Sequence, residues 1–161
     1  MRTEDMTAKI LCRLIVCAAL FFLSREDLKR YEIPPSCTAI IFVCGIWNLW
    51  LECTGWTSSL TGICCISLPL ALLEFVSKGK AIGSGAVKLM AAAGLFLGWK
   101  RCLLAFALAC ILGSLIHPIR MRWNGAGHVL AFGPYLSLGI FISMWWGDRM
   151  IDWYVRTCFG L

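Results

Sequence analysis

The chain alternates apolar runs with short charged stretches, and this alternation constrains its fold more than any other feature. The runs are Ile10–Leu23, Cys37–Leu51, Thr57–Val76, Leu89–Trp99, Cys102–Ile119 and Val129–Trp146. Of 161 residues, 60% are hydrophobic and 15% charged. Soluble domains average about 45–50% and about 25% for those classes. A chain this small has too much surface to hide the excess in a water-soluble core. A secreted disulfide scaffold, a disordered tail and a soluble nucleic-acid binder are thereby excluded. The expectation is an all-α, polytopic transmembrane helix bundle of six spans. It forms one domain over residues 1–161, with both termini on the same side of the bilayer.

Arg13 alone interrupts the first run, close enough to a helix end to snorkel. No small-x-small cleavage site precedes the charged stretch Arg25–Glu32, so the run reads as a retained anchor rather than a signal peptide. The stretch from Arg25 to Pro35 reads as a polar loop, Lys78–Lys88 as a glycine-rich loop, and the residues after Trp146 as an amphipathic tail. The fourth run is short for a span, which takes about 20 apolar residues. Either it is half of a re-entrant hairpin, or the glycine loop before it dips into the membrane. Irregular backbone at that depth survives only when buried in protein or lining a wet cavity, so the loop is a candidate site.

The net charge of +6 comes from cations scattered between the runs, where membrane-flanking residues belong. Six spans put Arg25, Lys29, Arg30, Lys78, Lys80, Lys88, Arg120 and Arg122 on one side. Arg2, Lys9, Lys100, Arg101, Arg149 and Arg156 fall on the other, with Arg13 nearby. The balance leans toward a cytoplasmic position for the proline and glycine loops. No pair among the ten cysteines has C-x-x-C spacing, and most lie in apolar runs, so they read as small buried hydrophobes. His117 and His128 are isolated, and no metal site is expected.

Chemistry concentrates in two loops on one side. Asp27 precedes Ile33-Pro34 by six residues, and Gly83-Ser84-Gly85-Ala86-Val87-Lys88 leads straight into Leu89. A third stretch reads Phe132-Gly133-Pro134-Tyr135-Leu136-Ser137-Leu138-Gly139. Together these resemble the type IV prepilin peptidases, membrane aspartic proteases with a G-x-G-D motif. Asp27 matches the aspartate of their D-x-x-x-x-x-I-P context. Gly83 to Leu89 matches G-x-G-D-x-K-L, and Phe132 to Gly139 matches F-G-P-(F/Y)-L-A-x-G. The likeness covers the chain from about Leu20 to Trp146.

One departure is serious: Ala86 stands at the position of the family's second aspartate. A deliberate Asp→Ala change in an active parent is the simplest account, because the frame around it is intact. Pro35 is a smaller departure and bears only on the local turn. The chemistry of such proteases needs two carboxylates. Placed together they cannot both ionise, so the pair shares a proton. The ionised member takes a proton from water and the protonated member donates to the scissile carbonyl. With Ala86 in place, the chain is expected to be catalytically inactive.

The resemblance implies an inner-membrane endopeptidase that removes short basic leaders from prepilins, cutting after a glycine at the cytoplasmic face. Asp27 and position 86 would be catalytic; Gly83, Gly85, Lys88 and Pro34 would shape the loops or bind substrate. Partners would be a prepilin and the bilayer, with no cofactor and no nucleic acid. Longer members carry a methyltransferase insert with paired C-x-x-C motifs. This chain lacks it and resembles the short forms of tight-adherence pilus systems. Without the matched contexts, Asp27 reads as a solvated charge beside Glu26 and Glu32, Gly83–Gly85 as a connector, and Lys88 as a snorkelling cation. Glu74 reads as one half of an i,i+4 pair with Lys78. Gly94-x-x-x-Gly98 reads as a small-residue packing face. Trp145, Trp146, Trp153 and Tyr154 read as an interfacial belt. The competing function is a non-catalytic membrane protein that holds prepilins or an assembly machine. A small transporter is disfavoured, since no inverted pair of interrupted helices is visible.

Overall fold

The computed structural model describes residues 2–30, 33–51, 56–77, 83–124 and 132–160. Among these residues there are six helices and no strand: α1 (Arg2–Arg30), α2 (Pro35–Leu51), α3 (Trp56–Ser77), α4 (Ser84–Leu97), α5 (Trp99–Asn124) and α6 (Gly133–Phe159). Three stretches, Met6–Arg30, Trp56–Val76 and Trp99–Ile116, are long and apolar enough to cross a membrane; Pro35–Trp50 and Ser84–Leu97 are shorter apolar helices. The protein is an integral membrane helix bundle, as the alternation of runs predicts.

Neighbouring side chains fix the direction of each helix. At one end, Gly133 at the start of α6 meets Asp27 in the last turn of α1, and Gly85 in the first turn of α4 meets Ile33, just before α2. At the other end, the Asn48 amide of α2 donates to the Phe96 carbonyl of α4, and Arg101 of α5 pairs with Asp148 of α6. Gly113, farther along α5, returns to Tyr135 near the start of α6. Successive helices therefore alternate in direction. The re-entrant alternative for the fourth run is not what forms: α4 rises beside α2, and α5 comes back.

Helix α4 lies at the centre, against α2, α3, α5 and α6. Its Leu89, Met90 and Ala93 are fully buried with Val16 and Leu23 of α1, Ile41 of α2, and Leu136 and Ile140 of α6. Its 14 residues rise only about 21 Å, less than a hydrocarbon core of about 30 Å. Enclosure by protein removes that penalty, because its flanks pack on other helices rather than on lipid. The bundle turns its remaining apolar side chains outward: Phe21 and Phe22 of α1 and Leu72 and Phe75 of α3 are exposed. That suits a lipid solvent.

Small residues set the closest approaches. A Cβ on Gly94 would lie 2.5 Å from the Gly62 carbonyl carbon and 3.0 Å from the Ile63 nitrogen, so α3 and α4 touch backbone to backbone. Gly98 packs on α3 as its spacing suggests, a Cβ on it falling 2.8 Å from the Ser58 Oγ, and it has a second part as well. Its φ of 76° ends α4, its N–H bonds the Gly94 carbonyl at 2.9 Å, and its own carbonyl accepts from Cys102 at 3.0 Å. One left-handed residue thus makes the whole connection to α5.

Three boundaries differ from the sequence reading. The stretch expected as a loop after Leu23 stays helical to Arg30, held by good helix formers and an exposed Glu26–Arg30 pair at 3.5 Å. It stops before Pro34, which disfavours helix in the preceding residue. The expected tail is continuous with α6 through Phe159, because nothing after Trp146 breaks the helix. The expected glycine loop contributes Ser84–Lys88 to the first turns of α4. Glu32, Lys78, Lys80 and His128 lie outside the described residues, and with them the expected Glu74–Lys78 pair.

Candidate active site

Asp27 sits on a helix, not in a loop. The last turn of α1 turns its carboxylate inward, leaving 3% of the residue exposed, while Glu26 and Arg30 pair on the outer side. Oδ2 accepts the Gly133 backbone N–H at 2.9 Å. That donor is one of the first N–H groups of α6, which have no partner within their own helix and favour a negative charge nearby. Pro134 in the first turn suits a helix start, since its missing N–H would have been unpaired there. Gly133 has to be glycine for this approach: a Cβ would fall 2.6 Å from Oδ2 and 3.0 Å from the Asp27 Cβ.

Ala86 lies in the first turn of α4, 3% exposed, with its N–H bonded to the Gly83 carbonyl at 3.0 Å. Gly85 rests on Ile33, where an added Cβ would sit 2.7 Å from the Ile33 Cβ. That contact seats the start of α4 on the Ile33-Pro34 segment. Gly83 faces open space, with nothing within 4 Å of a Cβ built on it. Lys88 is exposed and Pro34 half-buried. The structure thus gathers the three motif segments at one end of the bundle: Asp27 with Ile33-Pro34, Gly83–Lys88, and Phe132-Gly133. Among the described residues, no three His, Cys, Asp or Glu side chains gather as a metal site would require.

A model of the type IV leader peptidase family matches residues 14–117. The chain belongs to this family. The match takes in Asp27, Pro34 and the whole Gly83–Lys88 stretch, while Gly133 lies beyond it. Two relatives, both named prepilin leader peptidase/N-methyltransferase, align with most of the chain. That of Legionella pneumophila is 28% identical over 163 residues, covering 92% of this chain and 54% of its own length. That of Aeromonas hydrophila is 29% identical over 154 residues, covering 91% and 53%. A third of the same name, from Aeromonas salmonicida, is 34% identical over 80 residues, covering 48% of this chain and 28% of the relative. The chain spans about half the length of the first of these relatives. No solved structure matches the chain.

Leader peptidase family membership gives the sequence motifs a context, and the structure adds a contact they do not contain. Sequence reasoning noted Phe132-Gly133-Pro134 only as a matched string, without a role for Gly133. The available signal was a proline in the first turn of a helix, which marks a cluster of free N–H groups. The Arg101–Asp148 pair at the far end also escaped notice, since nothing in the local pattern joins residues so distant in the chain.

Proposed function

We propose that this chain is built as a membrane aspartic endopeptidase for prepilins, with Asp27 and position 86 as its two catalytic positions. The observation that carries the reading is the burial of Asp27 against the α6 N-terminus, at the end of the bundle where Ala86 is also buried. Two carboxylates there would share one proton, and together act as base toward water and acid toward the scissile carbonyl. Gly133 N–H holds Asp27 in one orientation throughout. Gly83, open on its outer side, leaves room for an extended substrate backbone close to position 86, with Gly85, Pro34 and Lys88 shaping the same loop.

As written, the chain has one half of the pair and is inactive. The substrate is a short basic leader ahead of an apolar helix, cut after a glycine. The leader approaches from the cytoplasm, the side toward which the charge balance leans for this end, and the enclosing membrane is the bacterial inner membrane. The short architecture suits a tight-adherence type of pilin. Ala86 itself favours the second reading, a prepilin-binding protein without catalysis. Co-expression with a prepilin separates the two. The Ala86→Asp chain is expected to shift the precursor to its mature size on a gel while the unaltered chain does not. An inert, folded Ala86→Asp chain that still retains the precursor would select the binding protein.

A further inference from the structure

At the end of the bundle away from Asp27 lies a cavity of about 390 Å³. Its size is in the range of small-ligand sites, about 300–1,000 Å³. Its floor is the end of the short helix α4, Phe96 to Gly98, and its walls are the end of α2, the starts of α3 and α5, and Asp148 to Asp152 of α6. Being short, α4 leaves the hollow that its longer neighbours surround.

The lining is polar and of mixed charge. Lys100 and Arg101 come from the first turn of α5, and Asp148 and Asp152 lie one turn apart on α6. Arg101 is committed: its Nε donates to Asp148 Oδ1 at 2.7 Å, and a second guanidinium nitrogen meets Oδ2. Lys100 and Asp152 are both exposed, and among the described residues no ion pair engages either. The Lys100 ammonium instead sits over the Trp99 ring, 5.6 Å from its centroid. The cavity therefore has one such cation on α5 and one such anion on α6, and Ser58, Ser59 and Asn48 also line it.

Exposed tryptophans gather at this same end: Trp47 and Trp50 close α2, Trp56 opens α3, Trp99 opens α5, and Trp153 lies beside Asp152 on α6. Such a belt marks the level of the lipid headgroups. Zwitterionic phospholipids present one negative and one positive group at that depth. We propose that this cavity binds the headgroup of a phospholipid carrying a phosphate and a primary ammonium. The phosphate takes Lys100 and the serine hydroxyls. The ammonium donates to Asp152 and the Asn48 carbonyl oxygen, which a quaternary ammonium without N–H groups cannot do. The site is independent of the chemistry at the other end.

Native mass spectrometry of the detergent-purified chain, titrated with phosphatidylethanolamine, phosphatidylcholine and phosphatidylglycerol, tests this. Phosphatidylethanolamine is expected to be retained about tenfold better than either alternative, the margin of one charge-assisted hydrogen bond. Asp152→Asn should erase the margin over phosphatidylcholine, and Lys100→Gln should weaken all three lipids. Both side chains are exposed, so unfolding temperatures should stay put, and that control separates lost binding from lost fold. Equal retention of the three lipids, or variants indistinguishable from the parent, would overturn the assignment. Displacement of the lipid by soluble glycerophosphoethanolamine at equal concentration would overturn the membrane source and assign the cavity to a soluble phosphoamine.

Discussion

Replacing Gly133 by alanine tests whether the α6 N-terminus orients the Asp27 carboxylate for the proposed chemistry. The new Cβ would lie 2.6 Å from Asp27 Oδ2, 2.8 Å from Cγ and 3.0 Å from Cβ, while ordinary contact begins near 3.4 Å. The oxygen must retreat by about 0.8 Å, and rotation alone cannot relieve the crowding because the stem of the side chain is also too close. The Gly133 N–H bond, 2.9 Å at the start, would stretch beyond the hydrogen-bond range of about 3.2 Å. A hydrogen bond to a charged group contributes about 1.5–3 kcal/mol, or about 10- to 150-fold. Misplacing a reacting group by about 1 Å costs about 100-fold. In an Ala86→Asp background, Gly133→Ala should therefore lower kcat for precursor cleavage in proteoliposomes by about 100-fold. KM should change little, because the substitution displaces a reacting group and not a group assigned to leader binding. Cleavage within about threefold of the Ala86→Asp parent would refute the role given to this bond.

Two stability predictions concern the scaffold. Gly94→Ala presses on the Gly62–Ile63 backbone, which cannot swing aside as a side chain can, and should cost about 1–3 kcal/mol, read as a lower unfolding temperature in detergent. An unchanged temperature would mean that α3 and α4 do not meet as closely as described. Asp148→Asn removes the partner of Arg101 at an exposed site and should cost less than about 1 kcal/mol in the same assay. A loss of several kcal/mol would show the pair to be structural.

The parts of this protein that were legible in the sequence are local in the chain. Apolar runs separated by charges announce membrane helices, and Asp27 with Ile33-Pro34, like Gly83 with Gly85 and Lys88, forms a pattern within a few residues. Helix ends were harder, because hydropathy and helicity part company where a helix leaves the apolar zone. Arg25–Arg30 is polar yet helical, and so is the stretch of α6 past Trp146. Gly98 shows a different limit: its spacing from Gly94 fits packing, but its left-handed backbone is invisible in a string of letters. The Asp27–Gly133 bond joins residues 106 apart and depends on α6 folding back along α1, which no local pattern encodes. The cavity over α4 arises from a difference in helix length, and so required the bundle itself.

The central claim is that position 86 is built to hold the second acid of a pair with Asp27. Cleavage rates of Ala86→Asp and Ala86→Asn against one prepilin, at matched expression and unfolding temperature, test it most directly, since the two side chains are alike in size and differ in carrying an ionisable proton. The account predicts that Ala86→Asp cleaves, that Ala86→Asn stays at the level of the unaltered chain, and that adding Asp27→Asn to Ala86→Asp removes about 10⁴-fold or more of the gain. Cleavage by the Ala86→Asn chain, or by the unaltered chain, would contradict it and place the second acid elsewhere.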